Sequence, residues 1–77
     1  MKRLPVESST IKSVGYDAKK SILEIEFKKR DGSFSAIWQY SPISKDVYEE
    51  FVGSSSLGVY FHENIKSNAS LTHNKVK

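Results

Sequence analysis

Residues Ile22 to Tyr40 restrict this chain more than any other stretch. Two alternating runs, Leu23-Glu24-Ile25-Glu26-Phe27 and Phe34-Ser35-Ala36-Ile37-Trp38-Gln39-Tyr40, flank Asp31-Gly32. Alternation places every second side chain on one face, and Asp-Gly favours a tight reversal, so the segment predicts a β-hairpin with one apolar face. A two-residue turn at Asp31-Gly32 sets Phe27 opposite Ala36, Ile25 opposite Trp38 and Leu23 opposite Tyr40. The opposite face then carries Ile22, Glu24, Glu26, Lys28, Ser35, Ile37 and Gln39.

Upstream, Thr10 to Tyr16 read as an earlier strand, because Thr10, Ile11, Val14 and Tyr16 favour pleated backbone. Its alternation is imperfect, and Gly15 is the expected position of a bulge. Asp17-Ala18-Lys19-Lys20 form the expected turn, with Asp17 capping it. Pro5 disfavours helix in the lead-in.

Beyond the hairpin, Ser41-Pro42-Ile43 ends the sheet. Ser44 is the expected N-cap of a helix with Asp46 in its first turn. Val47, Tyr48, Phe51 and Val52 recur at helical spacing and Gly53 closes the segment. Leu57, Phe61 and Ile65 form an i, i+4, i+8 stripe, which predicts a second short helix over 57–66. After Asn68 the chain is polar and reads as a flexible tail over 67–77.

The predicted architecture is α+β: a three-stranded antiparallel β-meander packed on two short C-terminal helices, β-β-β-α-α. One domain over residues 1–77, with its core in about 6–66, is expected from 77 residues. A domain of this size buries only about 60% of its unfolded surface. It contains no cysteine, so disulfides and thiolate metal sites are excluded. No apolar run is long enough to span a bilayer. Basic residues near the start are not followed by an apolar signal core, so a cytoplasmic location without membrane association is expected.

The net charge is +3, from 12 Lys/Arg and 9 Asp/Glu. It is uneven: residues 1–36 hold eight basic and five acidic residues, while residues 37–77 hold four of each. A basic half attracts phosphates, although charged surfaces also serve solubility alone.

The ordered series Ser8-Ser9-Thr10-Ile11, Val14-Gly15-Tyr16-Asp17, Leu23-Glu24-Ile25-Glu26-Phe27, Trp38-Gln39-Tyr40, Pro42 with Val47-Tyr48 and Phe51, Ser56-Leu57-Gly58, Tyr60-Phe61 and Ile65-Lys66 resembles the KTSC family. That family is a small domain appended to some lysyl-tRNA synthetases and also found alone in bacteria and phages. The resemblance covers about Val6 to Lys66. Trp38 stands where the family usually has tyrosine, and Asn68-Ala69-Ser70 replaces a frequent aromatic. The resemblance implies an RNA-binding role.

The residues themselves offer several candidate sites. Lys28, Lys29 and Arg30 are candidate phosphate contacts. Lys19-Lys20 lie about 25 Å away at the other end of the strand, so the two clusters cannot form one patch within a monomer. Ser55, Ser56 and Gly58 at a helix start are a candidate anion site, with Tyr60 and Lys66 further along the same helix. If the first helix runs back toward the hairpin tip, this cap lies on the side of Lys29 and Arg30. Trp38 and Tyr40 are stacking platforms on one reading and core residues on the other; the register favours the core. His62 has no partner at metal spacing and His73 falls in the tail. No metal, cofactor or catalytic residue is expected, and the chain reads as non-enzymatic. Ile22 and Ile37 on the open sheet face predict a homodimer.

Three functions compete: a nucleic-acid (RNA) binding module, an oligomeric binder or sponge of a small anionic nucleotide, and a protein-interaction module.

Overall fold

The computed structural model describes residues 1–77. Five strands form one antiparallel sheet in sequence order: β1 (Leu4–Pro5), β2 (Ile11–Asp17), β3 (Ile22–Lys28), β4 (Phe34–Ser41) and β5 (Thr72–Lys75). Between β4 and β5 come α1 (Lys45–Gly53) and α2 (Leu57–Tyr60), and α2 continues as a π-helical stretch, Phe61–Lys66. The α+β class with two helical segments matches the expectation. The three-stranded meander does not: a strand is added at each edge. Residues 72–75, read as flexible tail, pair with β4 through Trp38↔Lys75, Gln39↔Asn74, Tyr40↔His73 and Ser41↔Thr72.

The central register is the expected one, with Phe27↔Ala36, Ile25↔Trp38 and Leu23↔Tyr40 paired. The turn that produces it is different. Gly32 N–H donates to Lys29 O at 2.9 Å and Lys29 N–H to Ser33 O at 2.8 Å, so three residues, Arg30 to Gly32, form the loop. Gly32 has φ +88°, a left-handed conformation that suits glycine. The longer loop shifts the pairing by one residue, to Lys28↔Phe34. An irregularity in β4 before Ala36 shifts it back. Phe34, on the loop side of that irregularity, is exposed.

A second correction concerns Gly15. The bulge lies between Ile11 and Ser13, not at the glycine. Gly15 serves a close approach instead: a Cβ there would lie 2.6 Å from the Lys2 carbonyl oxygen, so only glycine lets the segment before β1 pass.

The inner sheet face and the helices enclose the core of Ile11, Val14, Leu23, Ile25, Tyr40, Ile43, Phe51, Leu57, Phe61 and Ile65. The predicted stripe Leu57, Phe61, Ile65 is buried throughout. In α1, Ser44 Oγ accepts from Val47 N–H at 3.2 Å as expected, but Val52 is exposed. In the π-helical stretch, Asn64 and Ser67 side chains donate to the carbonyls of Tyr60 and Glu63, at 3.2 and 2.7 Å. These bonds compete with the regular backbone ladder and accompany the wider turn.

The outer face is polar and cross-linked. Arg3 pairs with Glu24, and its Nε donates to Ser13 Oγ at 3.1 Å. Ser13 Oγ donates to Glu26 Oε1 at 2.8 Å, and Gln39 Nε2 to Glu24 Oε1 at 2.8 Å. Ile37 is buried within this one chain and Ile22 is half-buried. Of the pair on which a homodimer was expected, the monomer already covers Ile37 and covers Ile22 in part.

Candidate functional site

The inner face is only partly covered by helix. Strand β4 has eight residues and spans roughly 27 Å at ~3.4 Å per residue. The ten helical residues Leu57 to Lys66 reach only about 15 Å at ~1.5 Å each. Part of the apolar face is left as a cleft of about 530 Å³.

The cleft is lined by Thr10, Phe27, Lys28, Ser35, Ala36, Trp38, Tyr40, Phe61, Lys66 and His73. The paired strands place the rings. Phe27, Trp38 and Tyr40 share a face because the side-chain period of a strand is two. Phe61 comes from the helical layer and meets Phe27 and Tyr40 edge-on, with centroids 5.2 and 5.4 Å apart. These quadrupole-favoured contacts fix Phe61 between them. His73 arrives on β5 and its ring lies 5.7 Å from that of Trp38.

Burial pushes the Tyr40 phenol up to about 12, so it stays protonated at physiological pH. Lys28 and Lys66 line the same cleft and have no carboxylate partner, since the chain's ion pairs join Arg3 to Glu24 and Glu26. An aromatic surface beside two unpaired ammonium groups can take a flat ring carrying negative charge.

The candidate residues read from sequence are scattered. Lys28 and Lys66 both line the cleft. Lys29 and Arg30 are exposed at the hairpin tip outside it. Ser55 lies in a second, shallow groove with Asp46, Glu49, Glu50, Gly53, Ser54 and Tyr60. Three carboxylates in that groove lie on the side of Ser55 and disfavour an anion there. Ser56 Oγ accepts from Val59 N–H at 3.3 Å, an ordinary cap. A side chain at Gly58 would meet Thr10 Oγ1 at 3.5 Å, an ordinary contact, so the fold itself does not require glycine there. Tyr60 donates to Glu50 Oε1 at 2.9 Å and ties the two helices together. Its phenol is raised by burial and then by the Glu50 bond.

Sequence reasoning put Trp38 in the core, and the structure leaves it half-buried at the cleft. It assigned no role to Phe27, Phe61 or Thr10 beyond packing, and left His73 in the tail. The aromatic-x-aromatic step at 38–40 carried part of the signal. Nothing in the periodicity of 72–75 carried the rest.

These features define a small two-layer α+β domain with one aromatic, lysine-flanked cleft. The chain belongs to the KTSC family: the KTSC domain model matches residues 7–68. An uncharacterized protein of Stutzerimonas stutzeri (strain A1501) is 35% identical over 66 residues, covering 86% of each chain. The crystal structure of the KTSC domain protein YPO2434 from Yersinia pestis overlays with a TM-score of 0.84 at 32% identity, covering 99% of this chain and 97% of that one. The family match stops at residue 68, so β5 and His73 lie beyond it.

Proposed function

We propose that this chain is a non-enzymatic RNA-binding module that seats one unstacked base in the cleft and holds the adjoining phosphate with Lys28 and Lys66. One observation carries the reading: a single concavity of about 530 Å³ joins the rings of Phe27, Trp38, Tyr40 and Phe61 to two lysines without acidic partners. Single-stranded RNA is recognised through splayed bases on aromatic surfaces, and phosphate affinity comes from such cations. The cleft volume lies within the range of ordinary ligand sites, ~300–1,000 Å³.

The test is binding of single-stranded RNA across a salt series. Two phosphate contacts predict a slope of about −1.4 in log K against log salt, which is about a sevenfold loss between ~50 and ~200 mM. Lys28→Ala and Lys66→Ala each reduce the slope by about 0.7. An absence of binding at low salt removes the reading.

A second reading, a binder of a free anionic nucleotide, is favoured by one observation. Lys29 and Arg30 do not line the cleft, and neither do Lys19 and Lys20, so no charged track continues past the first nucleotide. Competition by mononucleotides as effective as the RNA itself would favour it.

A further inference from the structure

We propose that Trp38 and His73 form a clamp that opens to admit one base, with the C-terminal strand as its moving jaw. The inference rests on the RNA reading above and concerns how the cleft grips its ligand.

The two rings stand 5.7 Å apart and 45° out of parallel. A base stacked between them needs two stacking intervals of ~3.4 Å, roughly 7 Å in all. The rings must therefore separate by about 1 Å and turn toward parallel as the base enters. Both line the cleft, so a base that enters meets them together.

Only one of the rings sits on an element free to shift. Trp38 belongs to β4, which pairs with β3 on one side and β5 on the other, and its ring packs against the core. Phe61, the alternative jaw, is wedged edge-on between Phe27 and Tyr40 and is buried. His73 belongs to a four-residue edge strand whose residues are all exposed. That strand is held mainly by backbone bonds to β4 and by the bonds of Val76 and Lys77 to Ile37, at 2.7 to 3.3 Å. Leu71, just before it, is the one nearby residue packed on the core. Solvent-exposed backbone bonds without buried side chains mark the low-stability end of a fold. Even without strand movement, an exposed imidazole changes rotamer in picoseconds to nanoseconds.

Trp38 is the only tryptophan, so its fluorescence reports on the clamp directly. The full-length protein is titrated with a short single-stranded oligoadenylate and with AMP. Quenching is recorded for wild type, His73→Ala, His73→Phe and a Lys28→Ala/Lys66→Ala double variant. Wild type is expected to show saturable quenching. Loss of one stacking face predicts about tenfold weaker binding in His73→Ala, with recovery in His73→Phe, which keeps a ring. Urea midpoints equal to wild type exclude a folding effect at this exposed position. If His73→Ala binds as well as wild type while the double lysine variant is weakened, the clamp is overturned and the RNA reading stands. Failure of His73→Phe to rescue also overturns the clamp, since a ring would then not suffice. No saturable quenching in wild type with either probe overturns both.

Discussion

Phe51 and Trp38 are both large rings set between the helical layer and the same sheet face, and they meet opposite fates. Phe51 is fully buried, at 0% exposure, within the core cluster. Trp38 stays half-buried beside His73 on a cleft that the helical layer covers only in part. Phe51 comes from α1 and faces the sheet, whereas Trp38 comes from β4 and faces the roof, so each ring's burial depends on how far the opposite layer extends over it. Two helical segments of nine and ten residues close over part of the face and stop short of the rest. A chain of 77 residues with no disulfide has little apolar area to spare. Rings left uncovered here represent stability forgone, which is the usual mark of a binding surface.

The largest expected effect breaks this contrast if it is wrong. Phe51→Ala removes a fully enclosed ring and should destabilise by about 3–5 kcal/mol. Stability for a domain of this length is ~4–12 kcal/mol, so the variant would be close to unfolding. Trp38→Ala should cost only about 1–2 kcal/mol, because part of its surface already faces water. Urea denaturation of both variants decides. Equal losses would mean that the cleft half is as much core as the closed half.

How much of this contrast was readable before the fold was known depends on what holds each part together. The central pairing was readable because apolar side chains enforce it: a one-residue slip would turn Leu23, Ile25 and Phe27 to the outer face. That demand is strong enough for β4 to absorb a three-residue loop, closed by Gly32 in the left-handed conformation, through a compensating irregularity. The outer strands were not readable. Leu4-Pro5 is two residues long, and Thr72-His73-Asn74-Lys75 has no apolar alternation. Both are held by backbone bonds, which any sequence can form. The cleft inherited both outcomes. Its floor of Phe27, Trp38 and Tyr40 follows from the register, and Lys28 was marked by charge. His73 depended on a strand without a side-chain signal. At Ser55, spacing along the chain does not reveal that Asp46, Glu49 and Glu50 fold beside it.

The next effect sharpens the comparison from the opposite side of the sheet. Glu24 is buried at 6% exposure on the outer face and depends on Arg3 and Gln39. Arg3→Ala leaves that carboxylate with Gln39 alone and should cost about 2 kcal/mol. Glu24→Gln in the same protein should restore part of the loss, since no unpaired charge then remains. Because Arg3 acts on the face away from the cleft, RNA affinity below the unfolding transition should not change. A binding loss in folded Arg3→Ala would show that the two faces are coupled and that the cleft is not an independent surface.

The smallest expected effect lies at the seam, where Tyr40 belongs both to the core and to the cleft lining. Its phenol is raised from 10.0 to about 12 by burial. A raised pKa means that the folded state holds its proton more tightly than the unfolded chain does. The resulting stability is fully present below pH 10 and is lost as the pH climbs toward 12. Tyr60, raised by burial and by Glu50, contributes in the same direction. Tyr40→Phe has no proton to lose, so its stability should fall less steeply across this window than that of wild type. Tyr60→Phe should flatten the curve less, because that ring lies in the open acidic groove. Urea midpoints on both sides of the window provide the measurement. If Tyr40→Phe and wild type lose stability in parallel, the Tyr40 hydroxyl is solvated in the folded protein. The cleft would then reach deeper beneath the helices than the closed half of the face allows, and the boundary between the two halves would move from Trp38 to Tyr40.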